Sequence, residues 1–178
     1  RAEDLAAARH LLLDLPDARP LTAVAAAGAY RLLEGRLTPE EQQKFARRWV
    51  PMAQSFLDKF CSTIDMKVAY GNNHRIGTSV FADLCRDLFP DVASPLHYER
   101  YTDPVWELWW LRRDFQEHGT GYEGFSLYHH CVWARLRGVE DEFFSSPSIL
   151  NMFDRALRIV STHGLVAAYG DAGHPVQP

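Results

Sequence analysis

Thr38-Pro39-Glu40-Glu41-Gln42-Gln43-Lys44-Phe45 opens the stretch that decides the fold. Thr38 as N-cap, Pro39 at N1 and Glu41 at N3 form a capping box, with proline at a position where its missing N–H costs nothing. Phe45, Trp49, Met52, Phe56 and Phe60 then recur at three- and four-residue intervals. That period puts them on one face of a helix. Pro51 lies inside the run and is expected to kink or split it.

The same reading extends in both directions. One helix is expected from about Glu3 to Leu15, stopping at Pro16, and a second from about Thr22 to Leu33, closing at Gly35. After the third, the loop Tyr70-Gly71-Asn72-Asn73 leads into a fourth helix from His74 to Leu88, ended by Phe89-Pro90-Asp91. Val92 to Thr102 reads as loop. Asp103 as N-cap and Pro104 at N1 start a fifth helix carrying Trp106, Trp109, Trp110 and Phe115. Glycines between Gly119 and Gly124 are expected to interrupt the pattern, before a sixth helix from Phe125 to Leu136 that ends at Gly138. A seventh runs from Ser146-Pro147 to about His163, and Tyr169 to Pro178 reads as a loop tail. Strand-type alternation is missing, so the fold class is all-α, with antiparallel helical hairpins side by side.

Composition narrows the class of function. The chain has 178 residues, 47% apolar and 24% charged, which is the balance of one globular domain with its own core. Its net charge of −4 argues against a nucleic-acid partner, which needs a concentrated basic face. No apolar run reaches the length of a membrane span. Cys61, Cys85 and Cys131 are odd in number and widely spaced, so they form no disulfide framework and no zinc ribbon. Each reads as a small buried hydrophobe, with a single bridge left open. The chain begins at Arg1 without an initiator Met, as a processed or excised piece does.

Two constellations carry candidate chemistry. Asn72, Asn73, His74 and Arg75 stand at a loop-to-helix junction, where free backbone N–H groups and the helix dipole suit an anion. The plain alternative is an Asn cap followed by solvated side chains. The second is Glu117-His118-Gly119-Thr120-Gly121-Tyr122-Glu123-Gly124-Phe125-Ser126-Leu127-Tyr128-His129-His130. Its G-x-G-x-x-G lacks the preceding strand of a dinucleotide site, so the match is set aside. What is left is a segment rich in Tyr, Glu and His entering a helix. His129 and His130 are adjacent and cannot ligate one metal in the i, i+4 manner, so no metal is expected. Glu117 and Glu123 are a candidate acid/base pair for glycoside cleavage. Trp106, Trp109, Trp110 and Trp133 read mostly as core, with Trp109 a candidate wall of a sugar cleft.

Taken together, Asn72-Asn73-His74, the run from Gln116 to His129, and Tyr169-Gly170-Asp171 resemble the helical toroid of polysaccharide lyases, the alginate-lyase and heparinase-like families. The resemblance covers about the last two-thirds of the chain. His74 and Tyr128 are 54 positions apart, near the family's interval between its Asn-His and its Tyr. It implies an incomplete (α/α) toroid or barrel, either a fragment or a shortened relative, since a full toroid needs many more helices. It also implies β-elimination on an anionic polysaccharide or oligosaccharide containing uronic acid, in a secreted or periplasmic protein. Asn73 and His74 would neutralise the substrate carboxylate and Tyr128 would move protons, with Tyr122 as the fallback. Asn72, Arg75, Glu123, His129 and Trp109 would contact substrate. Such elimination runs on side chains alone, so no cofactor is expected. A local positive patch must offset the acidic chain, with Arg75, Arg112, Arg113, Arg135 and Arg137 as candidates. The rival readings are a glycoside hydrolase using Glu117 or Glu123, and a non-catalytic helical binding module in which Asn73 caps and Tyr128 is core.

Overall fold

The computed structural model describes residues 2–13, 19–61, 73–93, 102–112 and 120–158. Among them every regular element is helical. They are α1 (Ala2–Leu13), α2 (Pro20–Leu33) with a 3₁₀ turn at Glu34–Arg36, α3 (Pro39–Phe60) and α4 (Asn73–Leu88). There follow α5 (Pro90–Ala93), α6 (Asp103–Arg112), α7 (Thr120–Leu136), α8 (Glu140–Ser145) and α9 (Pro147–Arg158). No helix among the described residues is long and apolar enough to cross a membrane.

The start of α3 is built as its sequence dictates. The Glu41 N–H donates to Thr38 Oγ1 at 3.3 Å, and the Thr38 N–H donates to Glu41 Oε2 at 2.8 Å. Arg9 of α1 also pairs with Glu41. This bond and the Thr38 N–H hold the Glu41 carboxyl below its ordinary value. Pro51 does not split the helix, which is continuous over 22 residues. Pro51 and Arg47 lie on the exposed face, where water can take up the carbonyl that proline leaves unbonded.

Two further boundaries differ from the sequence reading. Thr102, not Asp103, precedes the first turn of α6, its carbonyl accepting from the Trp106 N–H at 3.0 Å. The glycine-rich segment from Thr120 to Gly124 is helical, the first turn of α7. The short helices α5 and α8 carry no periodicity long enough to read. The expected end of the first helix, and residues 159–178, lie outside the described residues.

The far end of α7 obeys its sequence. Gly138 has φ +68, the Gly138 N–H donates to the Arg135 carbonyl at 3.1 Å, and the Val139 N–H to the Ala134 carbonyl at 3.0 Å. This is a Schellman stop, which places glycine where other residues are strained. A Cβ on Gly138 would meet nothing within 4 Å. Gly138→Ala should therefore cost only the backbone penalty, about 1 kcal/mol, readable as a drop in urea midpoint with unchanged slope.

Helix α4 is the hub, packed against α2, α3 and α7. From Ile76 to Cys85 every residue is buried, including the polar Thr78, Ser79 and Asp83. One aromatic cluster lies on its α2–α3 side. Tyr30 meets Phe45, Trp49 and Phe89 edge-on at 5.0, 5.5 and 5.4 Å, and Trp49 meets Phe81 at 6.2 Å. Burial, then the charge of Glu34, pushes the Tyr30 hydroxyl up to about 12. The folded state therefore holds that proton more tightly than the unfolded chain. Stability present below about pH 10 should be lost as pH rises toward 12, and Tyr30→Phe should flatten that part of a pH–stability curve. The second cluster joins α6, α7 and α8 through Trp106, Trp109, His130, Trp133 and Phe143.

Candidate functional site

Helix polarity decides which candidate residues come together. Cys85 Sγ lies 3.9 Å from the Trp49 carbonyl, Phe81 meets Phe56 at 6.0 Å, and His74 meets Phe60 at 5.2 Å. Helices α3 and α4 are thus antiparallel. Trp106 meets Trp133 at 5.1 Å and Trp109 meets His130 at 3.7 Å, so α6 and α7 are antiparallel too. The C-terminal halves of α2, α4 and α7 converge on one groove lined by Gly28, Arg31, Leu84, Asp87, Val132 and Leu136.

A buried polar knot sets the register of α4 on α7. Asp83 Oδ2 accepts from Trp133 Nε1 at 2.6 Å and from Arg137 Nε and Nη2 at 3.1 and 2.8 Å. Thr102 Oγ1 donates to Asp83 Oδ1 at 3.4 Å, and Arg137 Nη1 reaches Asp103 at 2.6 Å. Burial pushes the Asp83 carboxyl up, while Arg137 and the Trp133 indole N–H oppose it. Burial also works against the Arg137 charge, but Asp83 and Asp103 more than offset that and raise it. Arg137, a candidate for the positive patch, is therefore committed inside this knot. His74, Phe81 and Cys85 share the side of α4 that faces α3, whereas Asp83, nine residues on from His74, faces α7 from the opposite side of the helix.

The candidates divide sharply by exposure. His74 is exposed at the start of α4, Arg75 is half-buried beside it, and Tyr128 is 48% exposed. Tyr128 is thus no core residue, as the binding-module reading required. Its ring meets that of His129 edge-on at 5.3 Å. His129 and Trp109, expected to touch substrate, lie instead in the core at 1% and 0% exposure. Trp109 is held there by its stack on His130, so its indole faces protein on the side a sugar would need. Asn73 opens α4, and Tyr122 and Glu123 lie in the first turn of α7. Their side chains, together with Asn72 and Glu117, are outside the described residues. No group of three or more His, Cys, Asp or Glu among the described residues is placed to hold a metal ion. All three cysteines are free.

The sequence missed two residues beside His74. Phe60 stacks on the His74 imidazole with an interplanar angle of 8°, and Lys59 Nζ stands 5.1 Å from the centre of the Phe60 ring. Neither has a sequence signal apart from the apolar face of α3, on which Phe60 reads as ordinary core. No protein-family model, curated protein or solved structure matches the chain.

Proposed function

We propose that this chain is the catalytic part, or a portion of it, of a polysaccharide lyase that cleaves a uronic-acid polymer by β-elimination. The observation that supports it best is that His74, at the start of α4, and Tyr128, on α7, are both exposed, as groups that meet a polymer must be. The two antiparallel pairs, α3 with α4 and α6 with α7, are the helical hairpins of which an (α/α) toroid is built. An anionic polysaccharide as substrate fits a protein working outside the cytoplasm, secreted or periplasmic.

The chemistry asks for the residue types at this end. The proton on C5 of a uronate is barely acidic while the neighbouring carboxylate keeps its charge. A donor at His74, with Asn73 beside it in sequence, lowers that barrier by neutralising the carboxylate as charge develops. Tyr128 takes the C5 proton and passes it to the glycosidic oxygen as the C4–O bond breaks, the C4–O electron pair leaving with that oxygen. The C5–H electron pair becomes the new C4–C5 double bond. No water enters the bond cleavage.

The test is ultraviolet absorbance during incubation with alginate, glucuronan, heparan sulfate, hyaluronan and pectate. The expected result is a rise on at least one polymer, from the conjugated double bond, that disappears in His74→Ala. New reducing ends without absorbance would replace elimination with hydrolysis. Silence in both assays would remove the activity from this chain.

A further inference from the structure

Two uncovered apolar surfaces lie away from His74 and Tyr128. The first is the groove between α2, α4 and α7, about 710 Å³ in volume. Gly28, Leu84, Val132 and Leu136 line it, and so does Leu32, which is 84% exposed. Gly28 sits in the interior of α2, where glycine is a poor helix former. A Cβ there would meet nothing within 4 Å, so no neighbour in the chain calls for the bare backbone. The missing side chain leaves the floor open to one from another molecule. The second surface is a ridge on α9. Ile149 and Met152 are buried, but Leu150, Phe153 and Leu157, three and four residues apart, share a different side of the helix. Leu157 is 74% exposed, and Phe153 meets Phe144 of α8 at 6.1 Å. Groove and ridge belong to one face: Glu140 lines the groove, and Phe144 follows it by one turn on the same side of α8. Of the six exposed large apolar side chains among the described residues, Leu32, Phe144, Leu150 and Leu157 all lie along this face. Scattered single residues would need no explanation, whereas a gathered patch marks an interface.

We propose that this face joins two copies of the chain about a two-fold axis, the α9 ridge of each seated in the groove of the other. A row of apolar side chains on a helix fits an open apolar floor in the helix-in-groove manner. The bordering charges suit a second copy. Arg31 pairs with Asp87 on one rim, Arg135 and Glu140 stand on the other, and Asp154 pairs with Arg158 beside the ridge. These three cations and three carboxylates cancel, in a chain of net charge −4. The face therefore meets its own copy without the repulsion that the rest of an acidic surface would bring. Symmetry follows from the placement. Because ridge and groove are side by side, one two-fold rotation seats both, and the contact closes on itself. On opposite faces they would string copies into an open filament. The dimer stands apart from the lyase reading and holds whether or not the chain cleaves a polymer.

The experiment is analytical ultracentrifugation of the full chain over a range of concentrations. The expected result is a monomer–dimer equilibrium with no larger species. Leu157→Glu breaks the ridge and should weaken the dimer about 100-fold, since symmetry counts each substitution twice. Gly28→Gln fills the groove floor and should weaken it as much. Both positions are open within the chain, so neither variant should lower the thermal midpoint. Val92→Glu places the same charge on an exposed apolar residue of α5 and should leave the dimer unchanged. Mixing is the decisive step. Leu157→Glu keeps its groove and Gly28→Gln keeps its ridge, so a pair made of one of each retains one sound contact. That pair should be about 10-fold weaker than wild type and tighter than either variant alone. A mixture no tighter than its components overturns the reciprocal seating. A wild type that stays monomeric, or grows without limit, overturns the dimer, and a monomer leaves the face to a different protein. An unchanged dimer in either variant, or equal weakening by Val92→Glu, overturns the face.

Discussion

Asp83→Ala is expected to lower stability by about 3–5 kcal/mol, the size seen when one partner of a buried ion pair is removed. The loss comes less from the missing attraction than from what is left behind. Arg137 is 19% exposed and would keep Asp103 and a long bond from Nη2 to Thr102 Oγ1 at 3.5 Å, with its Nε–H facing the vacated space. The Trp133 indole N–H would lose its acceptor inside a fully buried ring cluster. An unsatisfied buried donor alone costs about 1–3 kcal/mol. Asp83→Asn retains the shape and one acceptor oxygen, so it should cost less than alanine. Urea unfolding followed by tryptophan fluorescence measures both, since Trp106 and Trp133 lie around the knot. An Asp83→Ala midpoint within error of wild type would show that the knot adds nothing to the fold.

The second large effect is on turnover. Tyr128→Phe removes one oxygen from a half-exposed ring and should change stability by less than about 0.5 kcal/mol. On the lyase reading it removes the group that moves the proton, and kcat should fall about 10²–10⁴-fold. His74→Ala should do as much through the carboxylate it no longer neutralises. The two losses should not add, because each residue serves the same transition state. Circular dichroism and thermal midpoints separate lost chemistry from lost fold. Near-normal rates in both variants would take this pair out of the mechanism.

Much of the fold is legible where a local rule acts alone. Thr38, Pro39 and Glu41 need only each other to start α3, and Gly138 needs only its own backbone freedom to stop α7. The rules failed where tertiary packing outweighs propensity. Gly121 and Gly124 each disfavour helix by about 1 kcal/mol against alanine, which argues for a loop. Packing of α7 on α4 and on the tryptophans of α6 offsets that cost, and the helix begins at Thr120. Asp83 gave no signal because its partners lie 19 to 54 residues away, on other helices. Trp109 gave the opposite problem: an indole reads alike in a core and in a sugar cleft, and only its stack on His130 decides. His74 and Tyr128 were legible as residue types, whereas the ring that His74 stacks on, Phe60, lies on another helix and gave no local signal.

The enclosure of α4 has a consequence for how the molecule opens. Ten successive residues, Ile76 to Cys85, have no side toward water. Their amide protons cannot exchange by fraying of one face. Deuterium should reach them only when α2, α3 or α7 lifts away, close to the free energy of complete unfolding. The slowest-exchanging segment therefore begins two residues after His74, so an exposed candidate residue is tethered to the part of the chain that opens last.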